Sequence, residues 1–182
     1  MKSLIYFGIL SLPVILLSWR NLVNIKSHGF YRFFSWECIV GLFVVNYKYW
    51  FVDPLGPLQL ISWTLLFLST YLVIYGAVMM KKFGKSGKER AEDHLYGFEK
   101  TTELIDNGVF KYIRHPLYAS LIWLTWAVFF KNPALILSFV ALLSTLFLFL
   151  TARFDEKECI AYFGDKYIAY MKRSKMFIPF IL

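Results

Sequence analysis

The chain has 182 residues, of which 58% are hydrophobic and only 18% are charged, and its mean hydropathy is +0.53. A soluble domain of this size has too little interior to bury that much apolar surface, so the composition excludes most soluble globular classes and indicates a membrane protein. In a membrane protein, a formal net charge of +8 is informative first about which loops lie in the cytoplasm. The two cysteines, Cys38 and Cys159, are too few for a disulfide framework.

The first 80 residues contain three apolar segments. Ser3–Trp19 lacks the small-residue cleavage site of a secretory signal, so we expect a transmembrane helix that is kinked near Pro13. Phe33–Val52 is a weaker second span because Glu37 and two other polar residues interrupt it. Leu58–Met80 contains no charged residue and is predicted to be the third span.

The second half begins with a polar stretch from Lys81 to His115. Two apolar segments, Leu117–Phe130 and Pro133–Ala152, then predict a helical hairpin, of which the first arm is short for a full span. Residues Arg153–Lys175 are polar and amphipathic. The sequence therefore predicts an all-α polytopic membrane protein with about five transmembrane helices, the last two a hairpin, plus a cytoplasmic loop and a C-terminal amphipathic helix.

The distribution of basic residues predicts the orientation of these five spans. One side receives three Lys or Arg before the second span, eight between Lys81 and Arg114, and six from Arg153 to Lys175. The other side keeps Lys2, Lys48 and Lys131. Because basic loops stay in the cytoplasm, we expect the N-terminus outside and the C-terminus in the cytoplasm, an arrangement that suits a bacterial inner membrane.

Familiar signatures for other functions are missing from the sequence. Gly84-Lys85-Ser86 is not a phosphate loop, because Met79 stands where the first glycine belongs. The three histidines share no metal-ligand spacing, so we expect no zinc or iron and an organic cofactor if there is one. The aqueous segments lack base-reading features, which argues against nucleic acid, whereas membrane lipids are expected partners. The lysines expected near anionic headgroups are Lys81, Lys82, Lys85 and Lys88.

The stretch from Leu104 to Tyr118 concentrates polar and aromatic residues at the start of a helix. Pro116 suits the first helical position, where the free N–H groups and the helix dipole attract an anion. Asn107-Gly108 favours a tight turn that folds the preceding segment back over this helix start. An alternative interpretation is that Arg114 and His115 mark the membrane interface, with Tyr112 and Tyr118 in an aromatic belt.

A second polar group follows the last apolar segment. If the helix continues, Arg153 and Glu156 lie on one face with later apolar residues, whereas Asp155 projects elsewhere. A carboxylate facing packed protein near a membrane is costly, which makes Glu156 a candidate site residue with Arg153 and Arg114 as partners. The alternative is a surface ion pair between Arg153 and Glu156, and Gly164 can end the helix.

The last 80 or so residues resemble the isoprenylcysteine carboxyl methyltransferase family and its phospholipid methyltransferase relatives. The resemblance depends on Gly108-Val109-Phe110-Lys111-Tyr112-Ile113-Arg114-His115-Pro116-Leu117-Tyr118, then Asp155-Glu156, and then Phe163-Gly164-Asp165-Lys166-Tyr167 through to Pro179. Asp155 stands where the family commonly has a second Glu, and the polar stretch before Pro116 is long. The first three spans agree with the family only in hydropathy and number.

This resemblance implies a membrane-embedded methyltransferase that uses S-adenosylmethionine, no metal, and a lipophilic, lipid or prenylated acceptor. We expect a single domain, 1–182, with a three-helix N-terminal part (1–80) and a catalytic part (81–182). The catalytic residues would be Arg114, Arg153 and Glu156. The cofactor site would use Leu104, Ile105, Gly108, Tyr112, His115, Pro116, Tyr118 and Glu156.

Methyl transfer from a sulfonium requires the acceptor atom to be held in line with the S–CH3 bond, so positioning is the main demand on the protein. Arg114 or Arg153 would orient an acceptor carboxylate, while His115 would bind the cofactor or act as a base. Two alternatives stay open: N-methylation of a phospholipid or small amine, and a small transporter or assembly protein. The polar residues cluster on one side of the membrane, which favours an enzyme over a transporter.

Overall fold

The computed structural model describes residues 2–85 and 100–181. Lys88, one of the lysines expected near lipid headgroups, lies outside these described residues. The described part contains six α-helices, two short 3-10 turns and one isolated β-bridge. The helices are α1 (Lys2–Leu22), α2 (His28–Asn46), α3 (Pro57–Phe83), α4 (Pro116–Phe129), α5 (Leu135–Phe163) and α6 (Asp165–Arg173).

Three of these helices, α1, α3 and α5, are long and apolar enough to cross a membrane. The helix α2 contains Arg32 and Glu37, and α4 has only 14 residues, so neither meets that standard on composition and length. The observed helix α2 also begins and ends earlier than the predicted span Phe33–Val52. Its start is fixed by Ser27, whose hydroxyl accepts a hydrogen bond from the Gly29 N–H and caps the helix.

Helix α2 is antiparallel to α5, and α3 is antiparallel to α4, with small polar side chains that bond between the helices of each pair. Between α2 and α5, His28 meets Glu158 near one end and the hydroxyls of Ser35 and Ser144 lie 2.9 Å apart further along. Between α3 and α4, the Ser69 hydroxyl donates to the Ser120 carbonyl, and Ser62 donates to Ala127. Hydroxyls that bond across helices in this way hold transmembrane segments together where lipid supplies no hydrophobic driving force.

Helices α4 and α5 are joined by a short connection that contains the buried Lys131. The Lys131 ammonium donates to the Gln59 side-chain oxygen at 3.1 Å and lies 3.2 Å from the ring centroid of Trp63. Cation–π attraction and this hydrogen bond tie the connection to the start of α3. The hydroxyls of Thr125, late in α4, and Ser144, in the first half of α5, lie 3.1 Å apart. The two helices therefore run antiparallel.

At the opposite end of the bundle, α5 continues well past Ala152 and ends only at Gly164. Gly164 has a positive φ of 59°, a conformation that glycine adopts without strain, and α6 starts directly after it. After α6 the chain runs beside the entrance to α4, where the Arg114 and His115 N–H groups donate to the Lys175 and Met176 carbonyls. The C-terminal segment therefore holds the start of α4 in place.

Candidate functional site

A cavity of about 110 Å³ lies where α4 begins and α5 ends. Its wall combines residues from six parts of the chain: the start of α2, the end of α3, the loop before α4, the start of α4, the end of α5, and α6. The fold therefore joins distant segments around one cavity.

Arg114, which lines the cavity, forms a buried ion pair with Glu156, which lies behind the wall. The Nε and Nη2 atoms of Arg114 lie 2.9 and 2.8 Å from Glu156 Oε1, and the two side chains are 9% and 3% exposed. Arg114 Nη1 also donates to the carbonyls of Met171 and Ser174 at the end of α6. A single guanidinium thus connects the entrance of α4 with α5 and α6.

His115 lies beside two carboxylates at the start of α4. Its Nδ1 is 3.4 Å from Asp155 Oδ2 and its Nε2 is 3.6 Å from Glu156 Oε1. Burial by itself lowers the pKa of His115, but the neighbouring Asp155 and Glu156 outweigh it and raise the pKa above its ordinary value. Nε2 is buried, and its nearest charged neighbour among the described residues is the Glu156 carboxylate.

Aromatic rings cover much of the remaining wall. The Tyr118 ring stacks on His115 with centroids 5.4 Å apart, and Tyr167 and Tyr170 of α6 are both buried. Burial is the largest cause that raises the pKa of both α6 tyrosines, so they remain neutral phenols. The Tyr170 hydroxyl donates to the Phe110 carbonyl at 2.6 Å, which fixes α6 against the loop before α4.

Two carboxylates, Glu103 and Asp155, also line the cavity. The expectation that Asp155 projects away from the site is wrong, because α5 turns its side chain towards His115 while Glu156 packs behind it. Carboxylates and aromatic rings favour a cation, and the start of α4 favours an anion. The cavity is thus suited to a small molecule that carries both charges.

The structure brings most of the predicted residues to this cavity, but not all of them. Leu104, Ile105, Arg114, His115, Pro116 and Tyr118 line it. Gly108, at a positive φ of 56°, instead packs against Met79, where a Cβ would lie 2.7 Å from the methionine methyl group. The Tyr112 ring is 46% exposed and contacts Phe180. The Arg153 side chain is 53% exposed and lies 3.3 Å from Glu156 Oε2, so it remains outside the wall.

Sequence reasoning missed His28 and Glu158. His28 lines the cavity from the start of α2, and its Nδ1 lies 2.8 Å from Glu158 Oε2. These residues are 130 positions apart, and neither belongs to a recognisable local motif. The one available signal was their position in the sequence. His28 and Glu158 stand at the ends of apolar segments, and the distribution of Lys and Arg assigns those ends to the same side of the membrane.

Comparison with known proteins gives a family match that includes most of this site. The model of the isoprenylcysteine carboxyl methyltransferase family matches residues 63–161, more than half of the chain. The chain is 29% identical to methanethiol S-methyltransferase 1 of Bradyrhizobium diazoefficiens, over 65% of this chain and 39% of that protein. It is 27% identical to methanethiol S-methyltransferase of Crocosphaera subtropica, over 68% of this chain and 48% of that protein.

A human relative points to the same family. The chain is 31% identical to human protein-S-isoprenylcysteine O-methyltransferase, over 68% of this chain and 47% of that protein. The matches therefore span less than half the length of each of these relatives. No solved structure matches the chain significantly.

Proposed function

This chain belongs to the isoprenylcysteine carboxyl methyltransferase family, and on that premise we propose that it transfers a methyl group from S-adenosylmethionine to a lipophilic acceptor in the membrane. One observation carries the proposal: the Arg114–Glu156 ion pair joins the entrance of α4 to the end of α5 and so brings these two segments to one cavity. The three apolar helices and the family agree that the chain is an integral membrane protein.

The residues of the cavity fit S-adenosylmethionine. Its ammonium and sulfonium charges suit Asp155, Glu103 and the aromatic wall, and its carboxylate suits the helix start at Pro116. When bound, the cofactor supplies an activated methyl group on a positively charged sulfur. Leu104, Ile105 and Tyr118 contribute apolar surface to the same wall.

In this proposal the chain's residues act mainly by positioning. Arg114 is bonded to Glu156 and to two carbonyls of α6, so we assign it to holding the wall and not to contacting the acceptor. Glu156 holds Arg114 and lies next to His115, so it supports the cofactor side of the cavity. Arg153, Gly108 and Tyr112 lie outside the wall, and the proposal gives them no direct contact with either substrate.

For the acceptor, a lipophilic molecule such as a prenyl-type carboxylate is the leading candidate. Helices with largely lipid-facing surfaces around a cavity at the membrane boundary support an acceptor that arrives from the bilayer. A thiol is the second candidate, because two of the relatives are named methanethiol S-methyltransferases and His28 lines the cavity. N-methylation of a phospholipid or small amine would use the same cofactor residues.

We also propose that α2 and α4 cross the membrane, which gives five spans with α4 and α5 as a hairpin in a single domain, 1–182. Two contacts support this. At one end His28 bonds to Glu158, and at the other the Asn46 amide donates to the Val128 carbonyl at 2.8 Å. The charge distribution then places the N-terminus outside and the cavity at the cytoplasmic face, as in a bacterial inner membrane.

Calorimetric titration of the purified protein with S-adenosylmethionine tests the proposal. We expect a dissociation constant in the micromolar range, about −8 kcal/mol, and weaker binding by His115→Ala and Glu156→Ala. Arg153→Ala is the matched control and should bind as the unaltered protein does, because its side chain lies outside the cavity. Unchanged affinity in both site variants would contradict the site assignment.

Membranes that contain the protein can then be incubated with the cofactor carrying a radiolabelled methyl group. Label in extracted prenylated or other lipophilic acids would support the leading acceptor. Label in lipid headgroups would favour N-methylation, and label in a volatile thioether would favour the thiol. Transfer to none of these fractions, despite cofactor binding, would contradict the proposed reaction.

A further inference from the structure

An exposed apolar face formed by Tyr112, Phe180 and Ile181 lies outside the helices that the structure describes. Phe180 and Ile181 are 80% and 76% exposed. We propose that this face, the C-terminal anchor, inserts into the lipid leaflet beside the cavity, and that the lysines at its border bind anionic headgroups. The inference goes beyond the proposed reaction, because it concerns a surface for lipid and does not depend on the methyl acceptor.

Backbone hydrogen bonds bring the two parts of the anchor together. The Lys175 N–H donates to the Tyr112 carbonyl at 2.9 Å, and the Arg114 N–H donates to the Lys175 carbonyl at 2.7 Å, which makes a parallel bridge between Ile113 and Lys175. The Tyr112 and Phe180 rings then meet edge to face, with centroids 5.9 Å apart. Backbone groups need such partners where water is scarce, so the bridge suits a segment at the membrane boundary.

The inner side of the C-terminal segment packs into the bundle at the level of the apolar helices. Met176 and Phe177 are buried in one cluster with Ala119 of α4 and with Leu148 and Ala152 of α5. These three partners belong to the apolar stretches that the sequence assigns to the helical hairpin. The outer side of the same segment therefore lies at the depth of those stretches, where its neighbour in a membrane is lipid.

The length of α4 supports this depth. At 14 residues and a rise of about 1.5 Å per residue, α4 is about 21 Å long, whereas the hydrocarbon core is about 30 Å thick. If α4 crosses the membrane as proposed above, and its end near Lys131 lies at one surface, its start at Pro116 lies below the other surface. The loop before α4 and the C-terminal segment then occupy the remaining depth.

The backbone of Phe180 gives an independent argument. The Ile181 N–H donates to the Ile178 carbonyl at 3.3 Å, which closes a turn with Pro179 and Phe180 at its centre. Phe180 has a φ of 66°, in the left-handed region that favours glycine and is unfavourable for a bulky side chain. An exposed ring at this position gains nothing in water that offsets the strain, whereas its transfer into lipid does.

Basic side chains border the apolar face. Lys111 adjoins Tyr112 in the sequence, with its ammonium 5.8 Å from the centroid of the tyrosine ring, and Lys175 adjoins Tyr112 through the backbone bridge. Both lysines are exposed, as is Lys172 at the end of α6. Aromatic rings with lysines beside them are typical of the headgroup region, and anionic headgroups attract such lysines. This charge favours an anionic leaflet over a second copy of the chain, because two such borders would repel each other.

The anchor also connects the membrane with the cavity. The Lys175 and Met176 carbonyls accept hydrogen bonds from the Arg114 and His115 N–H groups, and both of these residues line the cavity. Insertion of the outer side into lipid therefore fixes the entrance of α4 from the inner side. We expect the cofactor to bind more tightly in vesicles with anionic lipid than in neutral vesicles.

Spin-label accessibility in vesicles of phosphatidylcholine and phosphatidylglycerol tests the insertion without cofactor or turnover. A nitroxide is attached to Phe180→Cys or Ile181→Cys, or to the control Lys166→Cys at the start of α6, in a background without Cys38 and Cys159. Oxygen, which concentrates in lipid, should relax the labels at 180 and 181 more strongly than a water-soluble nickel chelate does, and the label at 166 should show the reverse. Stronger relaxation by the nickel chelate at 180 and 181 would overturn the proposal.

The variant Phe180→Gly distinguishes a lipid contact from a role in the turn alone. Glycine adopts a positive φ without strain, so a role in the turn alone predicts equal or higher thermal stability and unaltered cofactor binding. For the unaltered protein we expect calorimetry to show about fivefold tighter cofactor binding with phosphatidylglycerol than with phosphatidylcholine alone, the effect of about one lysine at an anionic surface. Phe180→Gly should lose this difference, whereas Leu55→Gly, which removes an equally exposed apolar side chain between α2 and α3, should keep it.

The two measurements separate this inference from the proposed function. Retention of the lipid dependence by Phe180→Gly, or its absence from the unaltered protein, would overturn the connection between the anchor and the cavity. An unaltered protein that binds no cofactor in any vesicle would overturn the proposed function, and the spin labels would still decide whether the anchor inserts.

Discussion

Arg114 and Glu156 form an ion pair in a place from which water is nearly excluded. Removing one partner of such a pair leaves a buried charge without compensation, and this loss exceeds the net contribution of the intact pair. Arg153 also approaches Glu156, but its side chain is half exposed, where solvent weakens the attraction. Removal of Arg114 should therefore destabilise the protein more than removal of Arg153, although both arginines contact the same carboxylate.

We predict that Arg114→Ala lowers the free energy of unfolding by about 3 to 5 kcal/mol. Arg153→Ala, as the matched control, should lower it by less than about 1 kcal/mol. Denaturation in detergent, followed by circular dichroism, measures both. Adding Glu156→Gln to Arg114→Ala should restore part of the loss, since the unpaired charge is then gone. Equal losses for the two arginine variants would contradict the buried pair.

The raised pKa of His115 predicts how stability depends on pH. A histidine whose pKa is higher in the folded state stabilises the fold fully below its unfolded pKa of about 6.5. That contribution is lost as the pH rises through the folded pKa. Thermal unfolding of the unaltered protein between about pH 5 and pH 9 should therefore show declining stability, and His115→Asn should show a smaller decline. A stability that rises over this interval would contradict the assignment.

Among the secondary-structure elements, α6 depends most on one backbone position. Gly164 ends α5 at a φ of 59° and a ψ of −137°, and α6 leaves it at a new angle. This change of direction brings Tyr167 and Tyr170 to the cavity and the following segment to the entrance of α4. A continuous helix from α5 could not make these contacts, because its later residues would project away from the bundle.

We predict that Gly164→Ala costs about 1 to 3 kcal/mol of stability and weakens cofactor binding. A Cβ at Gly164 would meet no atom within 4 Å, so the cost arises from the backbone conformation alone. Gly8→Ala in α1 is the matched control, because its Cβ is equally unobstructed but its backbone is helical. That change should be neutral or stabilising by about 0.5 to 1 kcal/mol. Similar effects at the two positions, measured by thermal unfolding, would contradict the prediction.

At the scale of the whole molecule, the polar ends of the helices divide into two groups. The cavity, with His28, Arg114 and Glu156, lies at one end of the bundle. Lys131, Gln59 and Trp63 form the buried cluster at the other end. The five spans that we propose would place these two ends on opposite faces of the membrane, in agreement with the distribution of Lys and Arg.

We predict opposite labelling of Asp53→Cys and Lys172→Cys in a background without Cys38 and Cys159. In intact cells a membrane-impermeant maleimide should react with the cysteine at 53, between α2 and α3, and not with that at 172, in α6. Both should react once the cells are opened, which controls for local accessibility. Equal reactivity of the two positions in intact cells would contradict the five-span arrangement.

The sequence by itself determined those properties that depend on composition and short-range pattern. Apolar length located the helices, with α1 and α3 close to their predicted bounds, and the ordered motif around Arg114-His115-Pro116 indicated the family. The sequence allowed two interpretations of Glu156, a buried residue on a continued helix and one partner of a surface ion pair. Only its packing against Arg114 distinguished these two interpretations.

Only the tertiary structure decided which side chains share the cavity. It turned Asp155 inwards, left Tyr112 at the surface, and joined His28 to Glu158 across 130 positions of sequence. Helical periodicity specifies the face of a helix on which a residue lies, but it contains no information about the neighbour that the face meets. That choice depends on how all the helices pack at once, because each contact becomes favourable only after the others have positioned its partner.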